Sequence, residues 1–391
     1  MYNIKKTTEV YRDKPWNIPC DDRILKIKNA KMMGQKTVVY LYQNFDSSTF
    51  RYRGYNVTET LDYSFLWCGA YFQFDERSRL IGIFKFIDIL VFIRCPWDEQ
   101  MENFIFEAKN NQIKLCYDID DLVFSTDYMS YIIESLGLKD DFEFNFWYGI
   151  LQRNYMVAKK CVAFITTNDY LAGFLKTDFD KPCYTLQNYL NRYQEMVSQE
   201  YFNTKTLLTS QKPFEIGYFS GSPTHVNDLL LIMPEIENFI KKHEDVTLKI
   251  VGYMELPEKY RYLVEKNKIS FVPFQSFTGL QYEQAKVDVN VVPLLDNKFS
   301  NCKSELKFFE NAIVGTVTCA SPRYTYKKAI NNMKNGYLCE VGKWEEIFEK
   351  LYEEGQNIEQ QEEIRNYAID KYSSKNQVDK VEEILNSIDY L

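Results

Sequence analysis

Short apolar runs alternate with longer amphipathic stretches along most of the chain. Lys36 to Gln43, Ser64 to Cys68, Ile87 to Ile93, Ile113 to Tyr117, Cys161 to Thr166 and Cys183 to Leu186 read as strands, and helical periodicity separates most of them, the longest stretch running roughly from Asp141 to Lys160. A helical stretch from Arg192 to Leu207 and a linker at Thr209 to Pro213 follow. The alternation then restarts, with strands ending near Ser220, Tyr253, Phe274, Pro293 and Ala320. Helices are expected near 343 to 354, 359 to 373 and 376 to 390, whereas residues 1 to 35, with Pro15 and Pro19, resist assignment. This pattern predicts an α/β chain of parallel sheets with helices on both faces, and 391 residues exceed one typical core, so two domains are expected.

From Asn301 to Pro322 the chain reads as loop, helix, glycine turn and buried strand. Leu306, Phe309 and Ile313 form an apolar stripe at helical spacing, while Lys303, Lys307 and Glu310 recur on another face. Gly315 suits the helix stop, and Thr316 to Ala320 has the β-rich composition of a strand inside a parallel sheet. One face of such a helix packs on a sheet and leaves the other for a ligand. An amphipathic helix with solvated charges is the competing reading.

Three further stretches place chemistry where strands end. Ile113 to Phe124 releases Asp118, Asp120 and Asp121 at the carboxyl end of a strand, the edge of an open α/β sheet where ligands bind. They read as cleft-facing residues, as helix caps, or as an Asp-x-Asp metal pair of Asp118 and Asp120. Asn44 to Gly54 sets a serine and threonine cluster before Arg51 and Arg53, which suits an anion or acceptor contact, or else capping and surface arginines. Ser220, Gly221 and Ser222 precede a helix from about Val226, the generic geometry of a phosphate cradle, with His225 a phosphate donor or a cap. No Gly-x-Gly-x-x-Gly occurs, so the dinucleotide fingerprint is absent.

The order Lys303-Ser-Glu-Leu-Lys-Phe-Phe-Glu-Asn-Ala, two apolar residues, then Gly315-Thr-Val-Thr-Cys-Ala-Ser321 resembles the donor-binding segment of retaining GT-B glycosyltransferases of the large family four, the group that includes bacterial polysaccharide enzymes. The Ser220-Gly221 strand end, Val251-Gly252-Tyr253 and Asn335-Gly336-Tyr337-Leu338 are similar to that family in the right order, and the likeness covers most of residues 214 to 350. Tyr117 to Leu122 looks, more thinly, like a segment of the family's acceptor half, and Gln187 to Asn191 resembles the exit from the first domain. The resemblance implies the GT-B fold, two Rossmann-like domains around a cleft. Residues 1–208 would bind the acceptor and 209–355 the donor, with helices in 356–391 crossing back to the first domain.

The implied reaction moves a sugar from a nucleotide-diphosphate sugar to a glycan, glycolipid or glycoprotein, with retention, in surface polysaccharide or glycoconjugate synthesis. Glu310 would hold the ribose; Gly221, Ser222, His225, Lys303, Ser304 and Lys307 would hold the diphosphate, and Phe274 the base. Asp120, Asp121 and Lys303 would serve catalysis, with Arg51, Arg53 and Asp118 toward the acceptor. Lys303 stands seven residues before Glu310, where many members carry a second glutamate that touches the sugar, and the arginine and lysine pair common at the donor-domain opening is missing. A cation beside helix N–H groups suits a diphosphate. No cofactor is expected, and no metal is strictly required when lysines neutralise the leaving group. The alternatives are a metal-dependent phosphohydrolase on Asp118 and Asp120 and a non-catalytic partner subunit on the same fold.

Composition changes the picture little. A net charge of −8 offers no general electrostatic footprint for nucleic acid. Nine scattered cysteines without Cys-x-x-Cys, and only two histidines, point away from zinc; Cys116, Cys161 and Cys319 read as small buried hydrophobes in a reducing, cytoplasmic setting. Met1 to Lys14 lacks the apolar segment of a signal peptide, and Leu80 to Cys95, the most apolar stretch, carries Lys85, Asp88 and Arg94 and is too short to span a bilayer. The basic and aromatic residues from Lys26 to Lys36 leave room for a peripheral contact at the inner face of a membrane.

Overall fold

The computed structural model describes residues 14–138, 140–208, 213–221, 226–355 and 357–391, with the backbone alone at 206–208 and 226. Ser222, His225 and the linker from Thr209 lie outside the described residues. Among the described residues no helix is long and apolar enough to cross a membrane.

The first sheet is formed by β1 (Lys36–Tyr42), β2 (Trp67–Gln73), β3 (Ile89–Ile93), β4 (Lys114–Ile119), β5 (Ala163–Thr166) and β6 (Cys183–Thr185), in the order β2-β1-β3-β4-β5-β6. The second is formed by β7 (Phe214–Ser220), β8 (Val246–Gly252), β9 (Ile269–Val272), β10 (Val289–Val292), β11 (Val317–Ala320) and β12 (Tyr337–Leu338), ordered β12-β11-β10-β7-β8-β9. All pairings within the sheets are parallel. Helices cover both faces, which is why runs such as Ile89 to Ile93 are apolar at every position instead of alternating. In each sheet the strand order reverses beside the first strand, between β1 and β3 and between β7 and β10. Such reversals open a crevice at the carboxyl edge.

The structure moves some boundaries. Ser64 turns the chain, its hydroxyl accepting from the Leu66 and Trp67 amides, and β2 begins only at Trp67. β4 continues to Ile119 and so carries Asp118 into the sheet. Cys20–Met32 is a helix that the periodicity hid, because its buried face includes Arg23, paired with Glu76 at 2.6 Å and packed near the rings of Phe45, Tyr71 and Phe72.

Beyond β6, residues 186–191 carry no helix or strand. Helix Arg192–Leu208 packs on Phe277–Lys286, and Lys205 donates to the Thr316 hydroxyl at 2.7 Å and the Val287 carbonyl at 3.0 Å. Gly315, at φ +69°, leaves room for Phe202, which a Cβ would approach to 2.6 Å. Of the terminal helices, Ile358–Tyr372 packs on Leu306–Ala312, with Phe309 and Tyr372 stacked at 4.6 Å. Val378–Tyr390 lies on the first domain, where Asn386 accepts from the Trp67 indole at 2.9 Å and Asp389 pairs with Lys36 at 2.7 Å.

Candidate functional site

A cavity of about 660 Å³ opens between the two domains, where both sheets reverse their strand order. Ser47 to Thr49 beyond β1 and Arg94 after β3 line one side; Ser220 and Gly221 at the end of β7 and Val292 and Leu294 at β10 line the other. β7 and β8 come together at this edge: Gly252 has φ +98°, and a Cβ there would lie 1.9 Å from the Ser220 carbonyl oxygen. Only glycine fits that approach.

Leu306–Ala312 supplies the wall on the side of the second sheet. Phe308, Phe309 and Ile313 are buried, and the opposite face brings Lys307 and Glu310 into the cavity; Lys303, expected on the same helix, and Ser304 precede it and reach the cavity from the loop. Gly221 and Phe274 also line it, the Phe274 ring 62% exposed. The facing wall comes from an irregular helix in which α-helix Ser48–Phe50 passes into a π-helical turn, Arg51–Tyr55, before Asn56–Thr60. Arg51 and Tyr52 line the cavity, whereas Arg53 does not.

The two walls touch. The Tyr52 hydroxyl donates to Glu310 Oε1 at 2.5 Å, with the Arg51 guanidinium 3.8 Å from the same oxygen and stacked over Phe277. Lys303 Nζ donates to Asp121 Oδ2 at 2.6 Å, and Asn188 donates to the Ser304 hydroxyl at 3.1 Å. Arg94 holds Asp120 by its Nε and approaches Asp121 at 3.5 Å, while Thr49 donates to Asp120 at 3.2 Å. Burial raises the Glu310 carboxyl above its usual range against the pull of Arg51 and the Tyr52 hydroxyl. Asp121 goes the other way, because Lys303 and Arg94 outweigh its burial. Among the described residues Lys307 has no carboxylate within ion-pair distance; burial, with Lys303 nearby, pushes it down to about 8.

Two residues expected at the acceptor lie elsewhere. Arg53 and Asp118 are 0% and 1% exposed and form a two-pronged ion pair, Nε to Oδ1 and Nη2 to Oδ2, each 2.8 Å. They lie in the core beneath the cavity, since β4 extends through Asp118 and the π-helical turn sends Arg53 inward. Arg51, also expected there, faces Glu310 across the cavity. Both oxygens of Asp118 accept from Arg53 and Asp120 is held by Arg94, so these aspartates present no shared open face to a cation. Among the described residues no three histidine, cysteine, aspartate or glutamate side chains converge as a metal site.

Arg94, Tyr52, Asn188 and Trp147 were not singled out as site residues by the sequence. Arg94 carried a signal only as a charge interrupting an apolar run, and its left-handed backbone, φ 43°, emerges only on folding. Asn188 lies in the Gln187 to Asn191 run that the sequence did mark.

This architecture is the GT-B fold of glycosyltransferases. No protein-family profile matches the chain, and no curated relative does. Solved structures do match: HepE from Anabaena in complex with UDP and glucose is 11% identical, with a TM-score of 0.59, over 90% of this chain and 100% of that one. A glycosyltransferase from Rickettsia africae is 13% identical, with a TM-score of 0.58, over 90% and 98%. Sucrose-phosphate synthase from Thermosynechococcus elongatus is 10% identical, also at 0.58, over 90% and 99%. At these identities the likeness defines the fold.

Proposed function

We propose that the chain is a glycosyltransferase moving a hexosyl or deoxyhexosyl group from a nucleotide-diphosphate sugar to a hydroxyl of a glycan, lipid-linked or protein acceptor, with retention, in building a surface polysaccharide or glycoconjugate. The observation that carries this reading is the convergence of Lys303, Lys307 and Glu310 on a cavity at the reversal points of both sheets. UDP is the leading nucleotide, supported by the HepE complex.

In this reading Glu310 accepts hydrogen bonds from the ribose hydroxyls, displacing Tyr52, and Phe274 offers its exposed ring to the base. Lys303 and Lys307 face the diphosphate. As the bond from the anomeric carbon to the diphosphate breaks, a bond to the acceptor oxygen forms on the same face, and the acceptor proton passes to a diphosphate oxygen. The lysines stabilise the charge that develops there, and Asp120 and Asp121, fixed by Arg94, orient the acceptor. Because the lysines supply counter-charge, nucleotide binding is expected to survive EDTA.

The test is calorimetric titration with UDP, GDP and dTDP in EDTA. Micromolar binding of one nucleotide is the expected result, and no binding by any of them overturns the reading. A second measurement uses pH. Free Lys307 loses its proton near pH 8, and a bound diphosphate raises its pKa, so binding takes up a proton above pH 8. Affinity should therefore be full below pH 7 and fall between pH 7.5 and 9, roughly threefold to tenfold for a pKa difference of about one unit. Lys307→Arg, which does not titrate in this range, should give a flat profile.

A further inference from the structure

Resting on the glycosyl-transfer reading, we infer that Arg51 belongs to the donor site, where it and Glu310 together hold one of the two ribose hydroxyls. The first domain then reads the sugar of the nucleotide as well as the second. Arg51 is 9% exposed and lines the cavity. Among the described residues its guanidinium makes no hydrogen bond: Nε is buried without a partner, and Glu310 Oε1, the one carboxylate oxygen within ion-pair distance, stands 3.8 Å from Nη2, beyond hydrogen-bond reach. A guanidinium carries five N–H donors, and keeping them from water without acceptors is costly. A side chain held in that state beside a cavity calls for a ligand that brings the acceptors.

What orients Arg51 leaves its donors unused. The guanidinium lies over the Phe277 ring, 5.0 Å from its centre, and over the Tyr52 ring at 5.1 Å. Phe277 is fixed in turn by Trp16 at 5.4 Å and Tyr193 at 5.9 Å, and all three rings line the cavity. Contacts with ring faces set the plane of a guanidinium without occupying its N–H groups. Arg53 and Arg94 differ, since their donors are taken by Asp118 and Asp120.

The chemistry of the pair selects its occupant. A phosphate oxygen would suit Arg51 and be repelled by the Glu310 carboxylate, and an ammonium would do the reverse. A hydroxyl satisfies both, because it donates to the carboxylate and accepts from the guanidinium. Oε1 is also the oxygen that takes the Tyr52 hydroxyl at 2.5 Å, so a ligand hydroxyl that replaces Tyr52 there arrives beside Arg51 Nη2. Lys307, the other cation acting on Glu310, lies one turn back along the helix toward Lys303. The diphosphate thus falls to the lysines, and the ribose to Arg51 with Glu310.

The experiment is calorimetry on the full chain in EDTA at neutral pH with UDP and its 2′-deoxy and 3′-deoxy forms, and with inorganic pyrophosphate as a probe of charge alone. One of the two deoxy compounds should bind about tenfold or more weakly than UDP, the loss expected for a hydrogen bond to a charged group. Arg51→Met should weaken UDP by a similar factor, yet leave that deoxy compound and pyrophosphate within about twofold of their affinities for the unaltered protein. Arg51→Lys, which keeps the charge and loses the planar fork, should resemble Arg51→Met toward the ribose series. Because the guanidinium has no hydrogen bond to lose, the urea midpoint of Arg51→Met should match or exceed that of the unaltered protein. Equal binding of UDP and both deoxy compounds, undiminished UDP binding by Arg51→Met, or one common loss for UDP, the deoxy compounds and pyrophosphate overturns the inference alone. A lowered urea midpoint overturns it as well, by making Arg51 a structural residue. Failure of UDP, GDP and dTDP alike to bind removes the glycosyl-transfer reading, and the inference with it.

Discussion

Asp118→Ala is expected to lower stability by about 3–5 kcal/mol, the cost of stranding a buried charge. Arg53 and Asp118 are almost wholly out of water and satisfy each other with two hydrogen bonds. Removing the carboxylate leaves a guanidinium that still donates to the Leu186 carbonyl at 2.6 Å and to Asn188 at 3.2 Å but has lost its counter-charge. The measurement is urea unfolding followed by tryptophan fluorescence, read at the first transition because a two-domain chain need not unfold in one step. The double change Arg53→Met with Asp118→Leu should recover most of the loss, since apolar side chains of similar size fill the site without an unpaired charge. A loss below about 1 kcal/mol for Asp118→Ala would place the carboxylate back in solvent, among ordinary surface substitutions.

The second large effect is on the ligand. Glu310→Ala should weaken nucleotide binding by about 2–3 kcal/mol, roughly 30-fold to 150-fold, because in the proposed reading its carboxylate accepts charge-assisted bonds from two ribose hydroxyls. The same change removes the partner of the Tyr52 hydroxyl, the bond that joins the walls at 2.5 Å. Tyr52→Phe separates the two roles. It cuts the cross-cleft bond but keeps the carboxylate, and nucleotide affinity should stay within threefold of the unaltered protein. Equal losses for Glu310→Ala and Tyr52→Phe in calorimetry would make Glu310 a strut across the cleft instead of a ribose ligand.

Much of this was legible before folding, for a local reason. Helical period is a property of neighbours in sequence, so Lys307 and Glu310 could be seen to share a face, and buried parallel strands betray themselves as unbroken apolar runs, whereas Lys303, expected on the same helix, lies in the loop before it. Legibility failed where one residue of register decides direction. Asp118 and Asp120 lie two apart on the same segment, yet the extra length of β4 puts the first in the core and leaves the second at the cavity. Arg51 and Arg53 part because the stretch that holds them, read as the junction before a helix, is itself helical, and residues two apart on a helix do not face the same way. The helix Cys20–Met32 was missed because a buried arginine breaks its apolar stripe.

By itself, then, the sequence determined the two parallel sheets, the helix that carries Glu310 and the placing of small and charged residues at strand ends, since each follows from contacts between near neighbours. Only the tertiary structure decided which charges meet. Lys303 and Asp121 are 182 residues apart and Tyr52 and Glu310 are 258 apart, and nothing in either segment names its partner. Such pairs form because the reversal points of two sheets are brought face to face, and that depends on how every layer packs at once.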